Sequence, residues 1–318
     1  MRNTTALALL VAAASAAVAA PPKTVGFIGL GTMGSHIARH LHAESLKANG
    51  RPALVWNRRP GVAEEHAAAH GTVACDSAAA LAAEADVICL CLSTSAAVEA
   101  VLSSIEELRP NALIIDCTSG VPAEAQAIAA ALQARGARFV DAPVSGGPAG
   151  AEAGSLTSML GGAEADVAEA TPWCRAWSAK VVHCGPVGAG DAVKAVNNVL
   201  NAAHIALASE GLAALKSLGV SPSVALEVIN SSSGKSLQTE RFGDNVLSRK
   251  FAYGFALALM TKDVGIAADL VAEHAPAATL IPAVRELYNA GLAELGDDED
   301  YTGIVKRLER QVGVELEG

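Results

Sequence analysis

The sequence predicts an α/β domain with a doubly wound parallel sheet, followed by an all-α C-terminal domain. Three observations predict it. From Lys23 onward short β-branched runs alternate with alanine-rich helical stretches, a glycine-rich turn joins the first run to the first helix, and the alternation stops after Gly190. Continuous apolar strands separated by helices mark a parallel sheet covered on both faces. At 318 residues the chain has room for roughly two domains of about 150 each.

Val25–Ile28, Leu54–Trp56, Val87–Leu92, Leu113–Ile115 and Arg138–Val140 read as strands, with helices expected over 33–47, 61–69, 77–84, 95–108 and 123–135. Cys89 and Cys91, two residues apart in one apolar run, fall on the same strand face as small buried hydrophobes. Beyond Gly190 a long helical pattern covers 191–218, and further helices start near Pro222, Phe255, Pro282 and Thr302. The expected division is therefore a leader over 1–22, a sheet domain over 23–187 and a helical domain over 188–318. Residues 1–22 carry one charge, Arg2, and an apolar run from Ala6 to Ala20 ahead of Pro21. That pattern suits a secretory signal, while the lack of any acidic residue before Glu44 suits an organellar transit peptide. Mitochondrial import is the expectation, with the cytoplasm or the secretory pathway as alternatives. The run falls short of the about 20 apolar residues of a membrane span, so no membrane association is expected of the mature chain.

Lys+Arg 23 against Asp+Glu 33 leaves a net charge of -10 with no basic block, which argues against nucleic acid or anionic lipid as partner. A small, diffusible substrate fits better. The six cysteines contain no CxxC pair, so they have the spacing of neither a zinc ribbon nor a redox dithiol, and reduced thiols are expected. His36 and His40 lie four apart but have no third ligand placed near them, and no metal is expected. Ser233-Gly-Lys-Ser236 imitates a phosphate loop, yet that motif needs a glycine five residues before Gly234, where Ile229 stands.

Gly29-Leu-Gly31-Thr-Met-Gly34 follows the first strand and opens the first helix, the context that gives such a turn meaning. The first glycine permits the tight turn, the second lets backbone amides approach a pyrophosphate, and the third lets helix pack on strand. Phosphates then meet the positive end of the helix dipole. This points to a Rossmann-type dinucleotide site with Gly29, Leu30, Gly31, Thr32, Met33 and Gly34 as candidate contacts. At the end of the second strand stand Asn57, Arg58 and Arg59 rather than a carboxylate. Guanidinium groups attract a 2′-phosphate, so NADP(H) is the expected cofactor, with NAD possible.

Ser145, with the freely oriented amides of Gly146 and Gly147, suits a nest for a substrate carboxylate. At 100° per residue Lys194, Asn198 and Asn201 share one face of the long helix, with Asn197 beside them. The residues alone leave two options for Lys194: a lysine that snorkels to solvent, or one that faces a cleft between the domains. In a cleft, desolvation would lower its pKa and fit it to exchange a proton with a substrate hydroxyl.

The motifs Gly26–Gly34, Asp141–Gly147, Gly188–Asn198, Ser232–Gly234 and Lys262-Asp263, in that order, resemble the β-hydroxyacid dehydrogenase family, most closely its 3-hydroxyisobutyrate branch. The resemblance implies Lys194 as catalytic acid/base, Asn198 as the residue that orients substrate, and Ser145, Gly146 and Gly147 as the carboxylate site. It also implies that Leu92, Ser93 and Ser119 line the dinucleotide, that Lys262 reaches the cofactor side of the cleft, and that the chain assembles as a homodimer or homotetramer. The implied reaction interconverts a short β-hydroxy acid and its semialdehyde. The arginine-bearing turn at 57–59 is instead like that of NADPH-dependent glyoxylate, succinic semialdehyde or tartronate semialdehyde reductases. A non-catalytic dinucleotide-binding protein is the alternative from another class, against which Lys194 argues.

Overall fold

The computed structural model describes residues 23–317, so the leader expected over 1–22 lies outside the described residues. In chain order the elements are β1 (Val25–Ile28), α1 (Gly34–Asn49), β2 (Leu54–Trp56), α2 (Val62–His70), β3 (Val73–Ala74), α3 (Ala78–Glu84), β4 (Val87–Leu90), α4 (Ser95–Ser103), β5 (Leu113–Asp116), α5 (Pro122–Ala134) and β6 (Arg138–Asp141). β7 (Val144–Ser145), α6 (Gly147–Ala153), β8 (Leu156–Gly161), α7 (Glu164–Cys174) and β9 (Ser178–Gly185) complete the sheet region. Then come α8 (Ala189–Ser217), α9 (Pro222–Asn230), α10 (Leu237–Phe242), α11 (Leu257–His274), α12 (Leu280–Leu295) and α13 (Ile304–Val312).

Strand order is β3-β2-β1-β4-β5-β6-β8-β7, with β9 on β8. Every residue of β1, β4 and β5 is buried, because helices cover both faces. Alternation along the strands then divides the core. Val25, Phe27, Val87, Cys89, Leu113 and Ile115 pack toward α1 and α7, whereas Ile28, Ile88, Leu90 and Ile114 pack toward the helices of the opposite face. The strand expected over Val87–Leu92 ends at Leu90, so Cys91 lies just beyond it, half-buried, though it packs on the same side as Cys89.

From β3 to β6 the sheet is parallel, as expected, but beyond β6 it departs from that pattern. β6 and β7 both pair antiparallel with β8. The segment between β7 and β8, residues 146–155, is shorter than the dozen or so residues that a parallel crossover needs, so the chain must reverse. The helix expected over 95–108 stops at Ser103, where the next residue, Ser104, returns its hydroxyl to Val101 O at 2.7 Å. The segment 237–247, not expected to be helical, forms α10 and a π turn over Gly243–Leu247; a reciprocal cap between Ser236 and Thr239 starts it.

In α8 the buried positions Ala195, Val199, Ala202 and Ile205 recur every three to four residues and pack with residues of α11, α12 and α13 in the helical core, while Lys194 and Asn198 are buried beside them. The N-terminus of α8 is locked to the sheet. Asp141 at the end of β6 accepts from Gly188 N at 2.7 Å and Asp191 N at 3.0 Å, which satisfies amides that no helical carbonyl reaches. Asp191 in turn accepts from Gly120 N at 2.9 Å, beyond β5. The N-terminal part of α8 is thereby held at the carboxyl ends of the strands, where ligands bind in open α/β sheets.

Candidate active site

The glycine turn has the shape that a pyrophosphate needs. Gly29 has φ +100, and a side chain at Gly34 would overlap the Gly29 carbonyl, so both positions require glycine. Gly31 differs: a Cβ there would meet nothing within 4 Å, so the space in front of it is open. The first turn of α1 holds no acidic residue and its N-cap makes no side-chain bond, so the helix end is open to an anion. Thr32 is exposed, Met33 is half-buried, and Leu30 is buried with its amide donating to Asn57 Oδ1 at 3.0 Å. Asn57 therefore ties the turn to β2, a supporting role the sequence did not suggest. Arg58 and Arg59 are exposed just beyond it. Leu92 lies against Gly29 and anchors its own amide on Thr118 Oγ1 at 3.0 Å. These features fit a dinucleotide phosphate with a cationic site at its ribose end.

Lys262 on α11 crosses to the sheet domain, donating to Ser119 O and lying 3.5 Å from Ser93 O. Ser93, Ser119 and Lys262 are thus brought together at the mouth of the turn. Lys194 is 8 % exposed despite its charge. Burial holds its pKa below the ordinary lysine value, Asp263 pulls it back up, and Lys262 pushes it further down. The structure thus buries Lys194 rather than letting it snorkel to solvent. Asn198, one turn on, donates to Asp263 Oδ2 at 2.5 Å and receives Asn197 Nδ2 at 3.1 Å. Lys262 Nζ is 3.1 Å from Asp263 Oδ1 but badly aligned for a hydrogen bond, which leaves that buried oxygen electrostatically paired and without a hydrogen-bond partner.

Ser145 closes β7, and Gly146 (φ 138) and Gly147 (φ 66) turn the chain into α6, a geometry that side chains rarely adopt. The ring of Tyr253 packs against Gly147. Asn201 and Tyr301 meet at 3.4 Å, while Gln238 donates to Asn201 Oδ1 and, at 2.8 Å, to the Tyr301 hydroxyl. Sequence reasoning missed Asp263, Gln238, Tyr253 and Tyr301 as site residues. Only the Lys262-Asp263 pair carried a signal, since two charges in an apolar helix need a reason to be there.

Three buried carboxyls gather at the strand ends. Burial raises Asp116 to about 7 and Asp141 to about 6, with Thr118 bonds opposing the first and the α8 amides opposing the second. Asp191 is pushed well up by burial and by the other two. His40, whose spacing from His36 imitates a metal-binding pair, instead lies 3.1 and 3.0 Å from the carbonyls of Ala151 and Glu152, holding α1 to α6. Ser236 is consumed as the cap of α10, and Lys235 pairs with Glu240 at 2.7 Å.

Residues 24–185 match the model of the NAD binding domain of 6-phosphogluconate dehydrogenase, and residues 188–308 that of the NAD-binding domain of NADP-dependent 3-hydroxyisobutyrate dehydrogenase. The chain is 32% identical to 2-(hydroxymethyl)glutarate dehydrogenase of Eubacterium barkeri, over 92% of this chain and 97% of that protein. It is 31% identical to mitochondrial 3-hydroxyisobutyrate dehydrogenase of Homo sapiens, over 90% and 87%. Among solved structures, 3-hydroxyisobutyrate dehydrogenase of Mycobacterium tuberculosis, determined with L-serine, superposes with a TM-score of 0.81 at 31% identity, over 90% of this chain and 99% of that one. A glycine turn shaped for a dinucleotide, a buried lysine on the helix that follows the sheet domain, and relatives matched over nearly their full length agree: the chain belongs to the β-hydroxyacid dehydrogenase family.

Proposed function

We propose that this NAD(P)-dependent dehydrogenase, which acts on a CH–OH group, interconverts a short β-hydroxy acid of the 3-hydroxyisobutyrate type and its semialdehyde, with Lys194 as proton donor and acceptor. The observation that carries the reading is the buried Lys194 ammonium on α8, its pKa lowered by burial, on the side of the junction where Lys262 meets Ser93 and Ser119. A group poised nearer neutrality exchanges a proton with substrate oxygen more readily than an ordinary lysine. Bound nicotinamide supplies or accepts the hydride. Ser145 and the amides of Gly146 and Gly147 hold the substrate carboxylate, and Asn198 orients the hydroxyl. Residues 23–187 serve the dinucleotide and 188–318 the substrate. NADP(H) is the preferred cofactor, with Gly29 to Gly34 on the phosphates, Asn57 steadying that turn, Arg58 and Arg59 at the 2′-phosphate, and Leu92, Ser93, Ser119 and Lys262 along the nicotinamide side.

Val193, Val196, Leu200 and Leu207 are exposed along one side of α8, and covering them in a second copy supports a homodimer or homotetramer. Among the described residues no helix is long and apolar enough to cross a membrane. Mitochondrial import through residues 1–22 accords with the mitochondrial relatives and is tested by locating tagged chains with and without that segment.

The deciding experiment is a cofactor-by-substrate screen read from nicotinamide absorbance. We expect the highest kcat/KM with NADP(H) and a β-hydroxy acid. Dominance of glyoxylate or succinic semialdehyde would move the chain to the reductase reading that Arg58 and Arg59 favour, and silence with every pair would overturn both.

A further inference from the structure

We propose that Arg241 is a specificity-determining residue that grips a second carboxylate on the substrate, so that the preferred β-hydroxy acid carries an anionic side chain at C2. This rests on the reading above, in which the first carboxylate lies at Ser145, Gly146 and Gly147. Arg241 lies on α10, outside every motif that marked the site in the sequence. Its guanidinium stands 5.1 Å from the ring centroid of Tyr253, and Nη1 donates to the Tyr253 hydroxyl at 2.5 Å. The same hydroxyl lies 3.7 Å from where a side chain at Gly147 would begin. The Tyr253 hydroxyl therefore sits between the carboxylate turn and the arginine.

The arginine is held ready for an anion. Its partner is a neutral phenol, so the charge stays unneutralised while cation–π contact and the hydrogen bond fix the plane of the fork. Two neighbouring carboxylates are engaged elsewhere. Glu240 pairs with Lys235 at 2.7 Å, and Asp300 accepts from Gly254 N at 2.7 Å and Thr302 N at 3.0 Å, which also fixes the loop that carries Tyr253. Gln238, Asn201 and Tyr301, whose ring meets that of Tyr253, spend their polar atoms on one another and bring no charge to compete for Arg241. An arginine fork matches a carboxylate in bidentate geometry.

The test compares 3-hydroxypropionate with 2-(hydroxymethyl)succinate and its homologue 2-(hydroxymethyl)glutarate in the full-length enzyme, read as ratios of kcat/KM. Wild type should favour one of the dicarboxylates. Arg241→Gln should lower the dicarboxylate-to-monocarboxylate ratio roughly tenfold or more, through KM, as expected for a lost charge-assisted hydrogen bond, with Arg241→Lys falling between. Because the guanidinium is exposed, the wild-type ratio should also shrink as salt rises, and the Arg241→Gln ratio should not. An unchanged ratio in Arg241→Gln, with wild type active on 3-hydroxypropionate, would overturn this assignment and leave the dehydrogenase reading standing. Wild type inert toward all three acids with either cofactor would sink the reading itself, and the assignment with it.

Discussion

Asn198 Nδ2 donates to Asp263 Oδ2 at 2.5 Å, joining α8 to α11 one helical turn from the Lys194 ammonium. The Asp263 carboxylate favours the charged form of Lys194 against burial. Replacing that carboxylate by an amide removes the attraction while Lys262 keeps repelling, so the Lys194 pKa falls further. Neutral lysine is the form that accepts a proton, and the rising limb of kcat/KM against pH for alcohol oxidation should therefore move to lower pH in Asp263→Asn. A limb that stays in place would uncouple the two residues.

Lys194→Ala should lose about 10²–10⁴-fold in turnover, the usual worth of a positioned general acid or base. NADP(H) affinity, measured by quenching or enhancement of nicotinamide fluorescence, should be nearly retained. More than a few percent of wild-type turnover in a folded variant would take the proton-transfer role away from this residue.

Two glycines of one turn should respond in opposite ways to a methyl group. Gly34→Ala forces a Cβ onto the Gly29 carbonyl, so it should lower the melting temperature. Gly31→Ala meets open space and should melt like wild type while binding dinucleotide more weakly, because the methyl enters the phosphate site. Titration calorimetry beside thermal melts separates the two.

Arg58→Ala with Arg59→Ala should raise the Michaelis constant for NADP(H) about tenfold or more and leave that for NAD(H) nearly unchanged, since only the former offers a 2′-phosphate to a guanidinium. Equal changes with both cofactors would remove the electrostatic argument for NADP(H).

Asp116 tests the buried acids. Its folded pKa of about 7 lies above the ordinary value of 3.8, so between those values the folded state holds more proton than the unfolded chain. Stability from this group is then full below about pH 4 and declines as pH rises toward 7. Asp116→Asn keeps an oxygen to accept from Thr118 N, as Oδ1 does now at 2.9 Å, without the charge. It should melt higher than wild type at pH 8 by roughly 2–4 °C for each kcal/mol released, and show no such gain at pH 4. A pH-independent difference would place the effect in packing.

The alternation of apolar runs with helices made the parallel half of the sheet legible, because strands buried on both faces have no polar position to hide their pattern. β8 and β9 were not legible for the same reason reversed. Thr157 and Ser158 interrupt the first, and half of the second is exposed, so neither shows an apolar run. α10 was lost among polar residues, and its cap uses Thr239 where the usual pattern has Glu or Gln.

Local chemistry is what the sequence determined by itself. Gly29 and Gly34 specify a turn from backbone sterics alone, and the spacing of Lys194 and Asn198 puts them on one helix face whatever surrounds them. Tertiary structure decided which groups meet. Asp263 stands 69 residues from Lys194 along the chain, Tyr253 reaches Gly147 from a separate domain and carries Arg241 with it, and Asp141 pins the α8 N-terminus from the end of β6. Periodicity fixes only the direction a side chain leaves its own element. Its electrostatic surroundings depend on docking angles set by packing across the junction, which no local pattern encodes.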